Sequence, residues 1–353
     1  MTSSERVMAA LEFRPPDRIP LFDGYWAEFE AAWREAKRFG PDADILDYYG
    51  VDISIAVGDE GLSPTHAETL EQTDRETIQR DSWGRVIRTV PGGYFYEQLE
   101  SAVTRPADLD KLAIDPPDLA SRYAGLDERM AALKERFCVF AKVGGPFIRT
   151  QFVRGEVDFL CDLAADPAFA RELAFVVGRH LTRIGLEELR RWDLYSTGIW
   201  IYDDMASNLG PMFSPRTADE VLVPVWAEMV GAFKAAGARK VILHSDGNIA
   251  PLLDRFIEIG FDGINPVEPK AGLDVVTLRK QYGERLALLG GLDNAHILPR
   301  GDLSEVRQHV RRLVEIGREG GLVAGTHSVG PDIAVGTYDE VIRLLRSEGP
   351  AAE

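Results

Sequence analysis

Lys240-Val241-Ile242-Leu243-His244-Ser245-Asp246-Gly247-Asn248 is an apolar, β-branched run that ends on a histidine, a serine and an aspartate before Gly-Asn. Such a run reads as a buried strand, and the Gly-Asn pair stops it. Side chains two apart on a strand share a face, so His244 and Asp246 point together at the strand's exit. An imidazole beside a carboxylate is half of a metal site or an acid/base pair. The plainer alternative is a surface histidine beside a turn-forming aspartate.

The same pattern repeats along the chain. Strand-like runs fall at 18–24, 51–57, 138–143, 198–202, 263–265, 286–289 and 321–325 as well as 240–244. Helical stretches alternate with them, at 119–136, 166–192, 218–236, 251–259, 273–282, 303–317 and 338–346. A further helix, capped by Ser3 and Ser4, precedes the first strand. Eight strands, nearly all followed by a helix, predict an α/β fold of the (β/α)8 (TIM) barrel type. A doubly wound open sheet is the alternative, but no GxGxxG follows any strand. One barrel uses the whole length, so 1–353 is expected to be a single domain. Between about 74 and 103 the pattern turns short and β-like, with Ser82-Trp83-Gly84 at a bend. This predicts a short β-hairpin insertion after the second strand, too small to bury a core of its own.

The 353 residues carry a net charge of −17, which repels nucleic acid. No apolar run approaches a membrane span, and Met1-Thr2-Ser3-Ser4-Glu5-Arg6 lacks the layout of a signal peptide. The chain is therefore expected to be cytoplasmic. Cys138 and Cys161 lie in apolar surroundings without CxxC spacing and read as buried free thiols.

In such a barrel, chemistry belongs at the carboxyl ends of the strands. Those ends carry Asp59, Tyr202, Asp203, Asp204, His244, Asp246, Glu268, Asp293 and His327. His180 and His309 fall within helices, and His66 and His296 in loops. A carboxylate at a loop start is often a helix cap, and Asp293 fits that description. Two schemes fit the set. In one, His244, Asp246 and His327, joined by Glu268, bind a divalent metal with a position left open. Nitrogen and oxygen donors without sulfur suit zinc, and also iron or manganese. In the other no metal binds, and Asp59 and His327 act as general acid and base or anchor a cation. Arg149 could hold a substrate carboxylate. Arg154 reads as part of a solvated helix face.

Together these pieces resemble the uroporphyrinogen decarboxylase superfamily, which joins the decarboxylase of haem synthesis to corrinoid-dependent methyltransferases. The resemblance runs from Pro15-Pro16-Asp17-Arg18-Ile19-Pro20 through Gly144-Gly145-Pro146-Phe147, Tyr202-Asp203-Asp204 and Phe213-Ser214-Pro215. It continues in His244-Ser245-Asp246-Gly247-Asn248, Gly290-Gly291-Leu292-Asp293 and His327-Ser328-Val329-Gly330-Pro331-Asp332. Decarboxylases carry an aspartate where Asp59 stands and a histidine where His327 stands. Their arginine-rich loop is replaced here by Phe22-Asp23-Gly24-Tyr25-Trp26-Ala27-Glu28, and Phe152 is the nearest match to their tyrosine. The methyltransferases bind zinc through His-x-Cys and a later cysteine; His244-x-Asp246 and His327 occupy those places.

The resemblance implies, first, metal-assisted methyl transfer between a small methylated substrate and a corrinoid carrier, with a corrinoid protein as partner. Asp59, Tyr202 and His327 would act in catalysis, and Tyr25, Arg149, Asp203 and Asp204 would bind substrate. The alternatives are decarboxylation of uroporphyrinogen or a related pyrrole acid without a cofactor, and a non-catalytic corrinoid-binding barrel. A monomer or homodimer is expected.

Overall fold

The computed structural model describes residues 1–93 and 95–347. Strand β1 (Ile53–Ala56) is followed by β2 (Glu68–Gln72), β3 (Thr77–Arg80), β4 (Val86–Thr89) and β5 (Tyr96–Glu100). Then come β6 (Cys138–Gly144), β7 (Gly198–Tyr202), a ribbon of β8 (Ala206–Ser207) and β9 (Gly210–Pro211), β10 (Lys240–His244), β11 (Gly263–Val267), β12 (Ala287–Gly291) and β13 (Leu322–Gly325). Seven of these form one curled parallel sheet in the order β1-β6-β7-β10-β11-β12-β13. Helices cover its outer face, the longest being Pro167–Arg191, whose Asp166 cap accepts from the Phe169 amide.

The first expected strand, 18–24, is not a strand. It is reduced to isolated bridges from Leu21 to Ala324 and from Tyr25 to Val329. Pro20 has no N–H to extend a ladder, so its carbonyl only accepts, from Ala324 at 2.8 Å. The segment nevertheless touches both sheet edges. Phe22 N donates to Ala324 O, and Asp52 N, just before β1, donates to Leu21 O.

Inside the curled sheet, Ile53, Cys138, Phe140, Trp200, Ile242, Leu289 and Val323 pack together. The first helix, Ser3–Leu11, lays Val7, Met8 and Leu11 against them. Its cap is Thr2, one residue ahead of the expected serines, in a reciprocal pair with Glu5. A larger core lies between the sheet's outer face and the helices.

Other differences have local causes. The helix expected over 119–136 begins only at Asp127, because Gly125 takes φ +75° and breaks the run. The insertion is larger than a hairpin. Strands β2 to β5 form a four-stranded antiparallel sheet beginning at Glu68, and Tyr94, where its last strand was expected to start, lies outside the described residues. Cys138 is buried, which pushes its thiol up to about 12, but Cys161 is exposed on helix Glu156–Ala165. Among the described residues no helix is long and apolar enough to cross a membrane.

Candidate functional site

Register builds the site. Tyr202, His244 and Asn265 are direct neighbours across β7, β10 and β11. The Tyr202 ring therefore stacks on the His244 imidazole, with centroids 4.0 Å apart and planes 15° from parallel. On the other side, His244 Nδ1 lies 2.6 Å from Asn265 Oδ1, while the Asn265 amide nitrogen faces Leu289 O. That pairing puts the proton on Nδ1 and leaves Nε2 as a free lone pair. Burial lowers the His244 pKa, so the ring is neutral at pH 7.

Beyond His244 the chain turns at Gly247, with φ +83°. A side chain there would meet Ala206 O at 2.4 Å. Asp246, between the strand's end and this turn, has its Oδ1 3.7 Å from His244 Nε2. From the last strand's exit, His327 brings Nδ1 to 3.1 Å from the same oxygen. His327 holds φ +104°, a conformation that costs a non-glycine residue about 1–3 kcal/mol. Its pKa moves the opposite way to that of His244, raised first by contact with Asp246.

One donor atom each from His244, Asp246 and His327 lies within 4.8 Å of the others. Two ligands of one tetrahedral zinc sit roughly 3.3 Å apart, near the spacings seen here. Asp246 Oδ1 and His327 Nδ1 are close, yet neither makes an aligned hydrogen bond and neither reaches solvent. Buried polar atoms rarely stay unpartnered. Asp204, with its Oδ1 3.8 Å from His244 Nε2, adds a second carboxylate. Two carboxylates balance a divalent cation once His327 gives up its proton on binding it, so the residues fit one.

The other rim residues have different surroundings. Glu268 is buried, with Oε2 accepting from Gly247 N and Oε1 2.8 Å from the Lys270 ammonium, and it lies outside the three-donor group. Asp203 is wholly buried. It accepts from the amides of Phe147 and Ile148 and from Trp226 Nε1, so it caps helix Pro146–Arg154 instead of facing a ligand. Asp59 is exposed; its Oδ1 accepts from Gly61 N in its own loop and from Ser82 Oγ at the bend between β3 and β4. Asp293 accepts from the amides of Ala295 and His296, as a cap does. Arg149 pairs with Glu60, and Tyr25 stacks on Phe29 and Tyr49 and meets Tyr338 edge-on. Two polar residues went unflagged in the sequence. Asn265 stands alone in an apolar strand, a usable signal. Glu60 sits beside the exposed Asp59 yet is buried against Lys142 and Arg149, and nothing local marks it.

Asp204 also lines a cavity of about 550 Å³ under the inserted sheet, with Arg85, Tyr96, Gln151, Phe152 and Met212. None of the three donors lines it; Asp204, 3.8 Å from His244 Nε2, is its link to them.

Burial pushes the Asp203 carboxyl up to about 7 despite its three donors. A carboxyl with a raised folded pKa favours folding while protonated. That contribution is complete below the ordinary 3.8 and is lost as pH rises through about 7. Urea unfolding is therefore expected to give lower stability at pH 8 than at pH 5. Asp203→Asn should be less stable at pH 5 but lose less on going to pH 8; an unchanged pH dependence would rule Asp203 out as its source.

A family model described as uroporphyrinogen decarboxylase (URO-D) matches residues 89–347, well over half the chain. A methyltransferase from Methanosarcina mazei has a similar fold, with TM-score 0.69 and 16% identity over 99% of each chain. A putative vitamin-B12 independent methionine synthase from Listeria monocytogenes aligns at TM-score 0.40 and 11% identity, over 95% of this chain and 96% of that one. No curated protein matches the sequence.

Proposed function

The chain belongs to the uroporphyrinogen decarboxylase family, and from that premise we propose that it is a metal-dependent methyltransferase moving a methyl group between a small methylated substrate and a corrinoid carrier. We read the curled sheet as a (β/α)8 barrel in which residues 20–22 stand for the missing strand and β2–β5 are an insertion. The observation that carries the reaction is the group of three donors, in which Asp246 Oδ1 and His327 Nδ1 are buried close to each other with no aligned hydrogen bond. His244 Nε2, Asp246 and His327 would hold zinc, or iron or manganese, which when bound supplies Lewis-acid polarisation.

The chain's own residues do the rest. Asn265 fixes the His244 tautomer, and Tyr202 walls one face of its ring. Asp204, between the donors and the cavity, suits a substrate group with positive charge. A corrinoid protein is the partner this reading requires. The Methanosarcina fold does not choose the reaction; the donor set is what supports this reading. Asp59, exposed and with one oxygen engaged by Gly61 N and Ser82 Oγ, lies outside the donor group and gives the decarboxylase reading less support.

Purified without a histidine tag, the protein is expected to carry about one equivalent of zinc, iron or manganese and to demethylate a small donor when a corrinoid acceptor is present. Coproporphyrinogen formed from uroporphyrinogen, with no metal bound, would instead establish the decarboxylase.

A further inference from the structure

We propose that Asp23 is a positioning residue that sets the pose of His327 for metal binding. The inference rests on the metal reading above.

The stretch carrying His327 is clamped on both sides by the N-terminal segment. Phe22 N donates to Ala324 O and Ala324 N to Pro20 O; Val329 N donates to Gly24 O and Trp26 N to Val329 O. Between these clamps the regular pairing breaks, because His327 turns to positive φ. Asp23 fills the gap. One carboxylate oxygen accepts from the Thr326 amide at 2.6 Å and from its hydroxyl at 2.7 Å. The other accepts from Tyr338 Oη at 2.7 Å, on the last helix, Val335–Ser347. Tyr338 in turn meets Tyr25 Oη at 3.1 Å. Asp23 is buried, so no water replaces these contacts. A residue held in a disfavoured backbone conformation keeps it only while its surroundings over-determine it. Here those surroundings come from both ends of the chain and converge on one carboxylate. Without it the Thr326–His327 peptide is free to relax, and the imidazole loses its 3.1 Å approach to Asp246.

The test compares Asp23→Ala with Asp23→Asn. Asparagine keeps an oxygen for Thr326, and its amide can donate to Tyr338 Oη, which can donate on to Tyr25. Zinc alone is titrated into metal-free protein, and cobalt(II) is bound for its visible spectrum. Asp23→Ala is expected to weaken zinc binding 10–100-fold, the range for groups behind a ligand, and to alter the cobalt bands; Asp23→Asn should restore both. Should the alanine variant not fold, Thr326→Val, which removes only the hydroxyl contact, is expected to weaken zinc about threefold or more. Wild-type zinc affinity and cobalt bands in Asp23→Ala, or in Thr326→Val if that is the usable variant, would overturn the proposal. So would equal losses in the alanine and asparagine variants. If the wild-type chain binds neither metal, the metal reading itself fails, a separate outcome.

Discussion

Replacing His244 by alanine is expected to lower zinc affinity by more than ~100-fold, and Asp246→Ala to do the same. Removing even a group behind a ligand commonly costs 10–100-fold, and these two would touch the ion. His244 is the best prepared of the three donors. Its ring is neutral through burial, its tautomer is fixed by Asn265, and its orientation is held by Tyr202. Little remains to be ordered when a cation arrives, so its loss removes pre-organisation along with the bond. Metal analysis of dialysed protein and competitive chelator titration measure the effect. Methyl transfer should fall with it; metal-free His244→Ala should also unfold at a somewhat lower temperature, because buried Asn265 Oδ1 loses its donor, whereas metal-free Asp246→Ala stays near wild type. A wild-type metal content in His244→Ala would remove the centre from this mouth.

The second large effect lies far from the donors. Asp52→Ala is expected to destabilise the fold by on the order of 3–5 kcal/mol, read from urea unfolding. Asp52 is wholly buried and stands just before β1. Its carboxylate accepts from Arg6 at 2.7 Å, from Arg18 at 2.8 and 3.0 Å, and from the Leu21 amide at 2.9 Å. It thus ties the first helix to the segment that touches both sheet edges. Alanine would leave the buried Arg6 with only Asp17 and the Met1 carbonyl, and the Leu21 amide without its acceptor. Loss of one partner from a buried ion pair is costly because the remaining charge stays desolvated. Arg18→Ala, on a residue about a fifth exposed at its side chain, should cost far less. Equal effects from the two substitutions would show that burial of Asp52 is not what matters.

Much of the architecture was legible from residue order. The strands at 198–202 and 240–244 have the bounds their apolar runs suggest, since a buried parallel strand needs an unbroken apolar stretch and a polar stop. The break at Gly125 and the loss of the first strand were also present in the sequence, as a glycine and a proline, but their weight depended on what they would have paired with.

The side chains at the strand exits divide the two kinds of information most sharply. Strand periodicity carried as far as His244, the last residue of β10, because alternation is a local property of the backbone. Beyond a strand's last residue that alternation ends, and Asp246 shares a face with His244 only because the following loop brings it back. Asp203 and Asp204 are adjacent and chemically identical, yet one caps helix Pro146–Arg154 and the other borders the cavity. Asp59 and Glu60 divide in the same way, one closing its own loop and the other paired with Lys142 and Arg149. Which neighbour turns inward depends on donors brought by helices and strands from elsewhere in the chain, so only tertiary structure decides it. The approach of His327 to Asp246 is of that kind too: 81 positions separate them in the chain, and the curl of the sheet makes them neighbours.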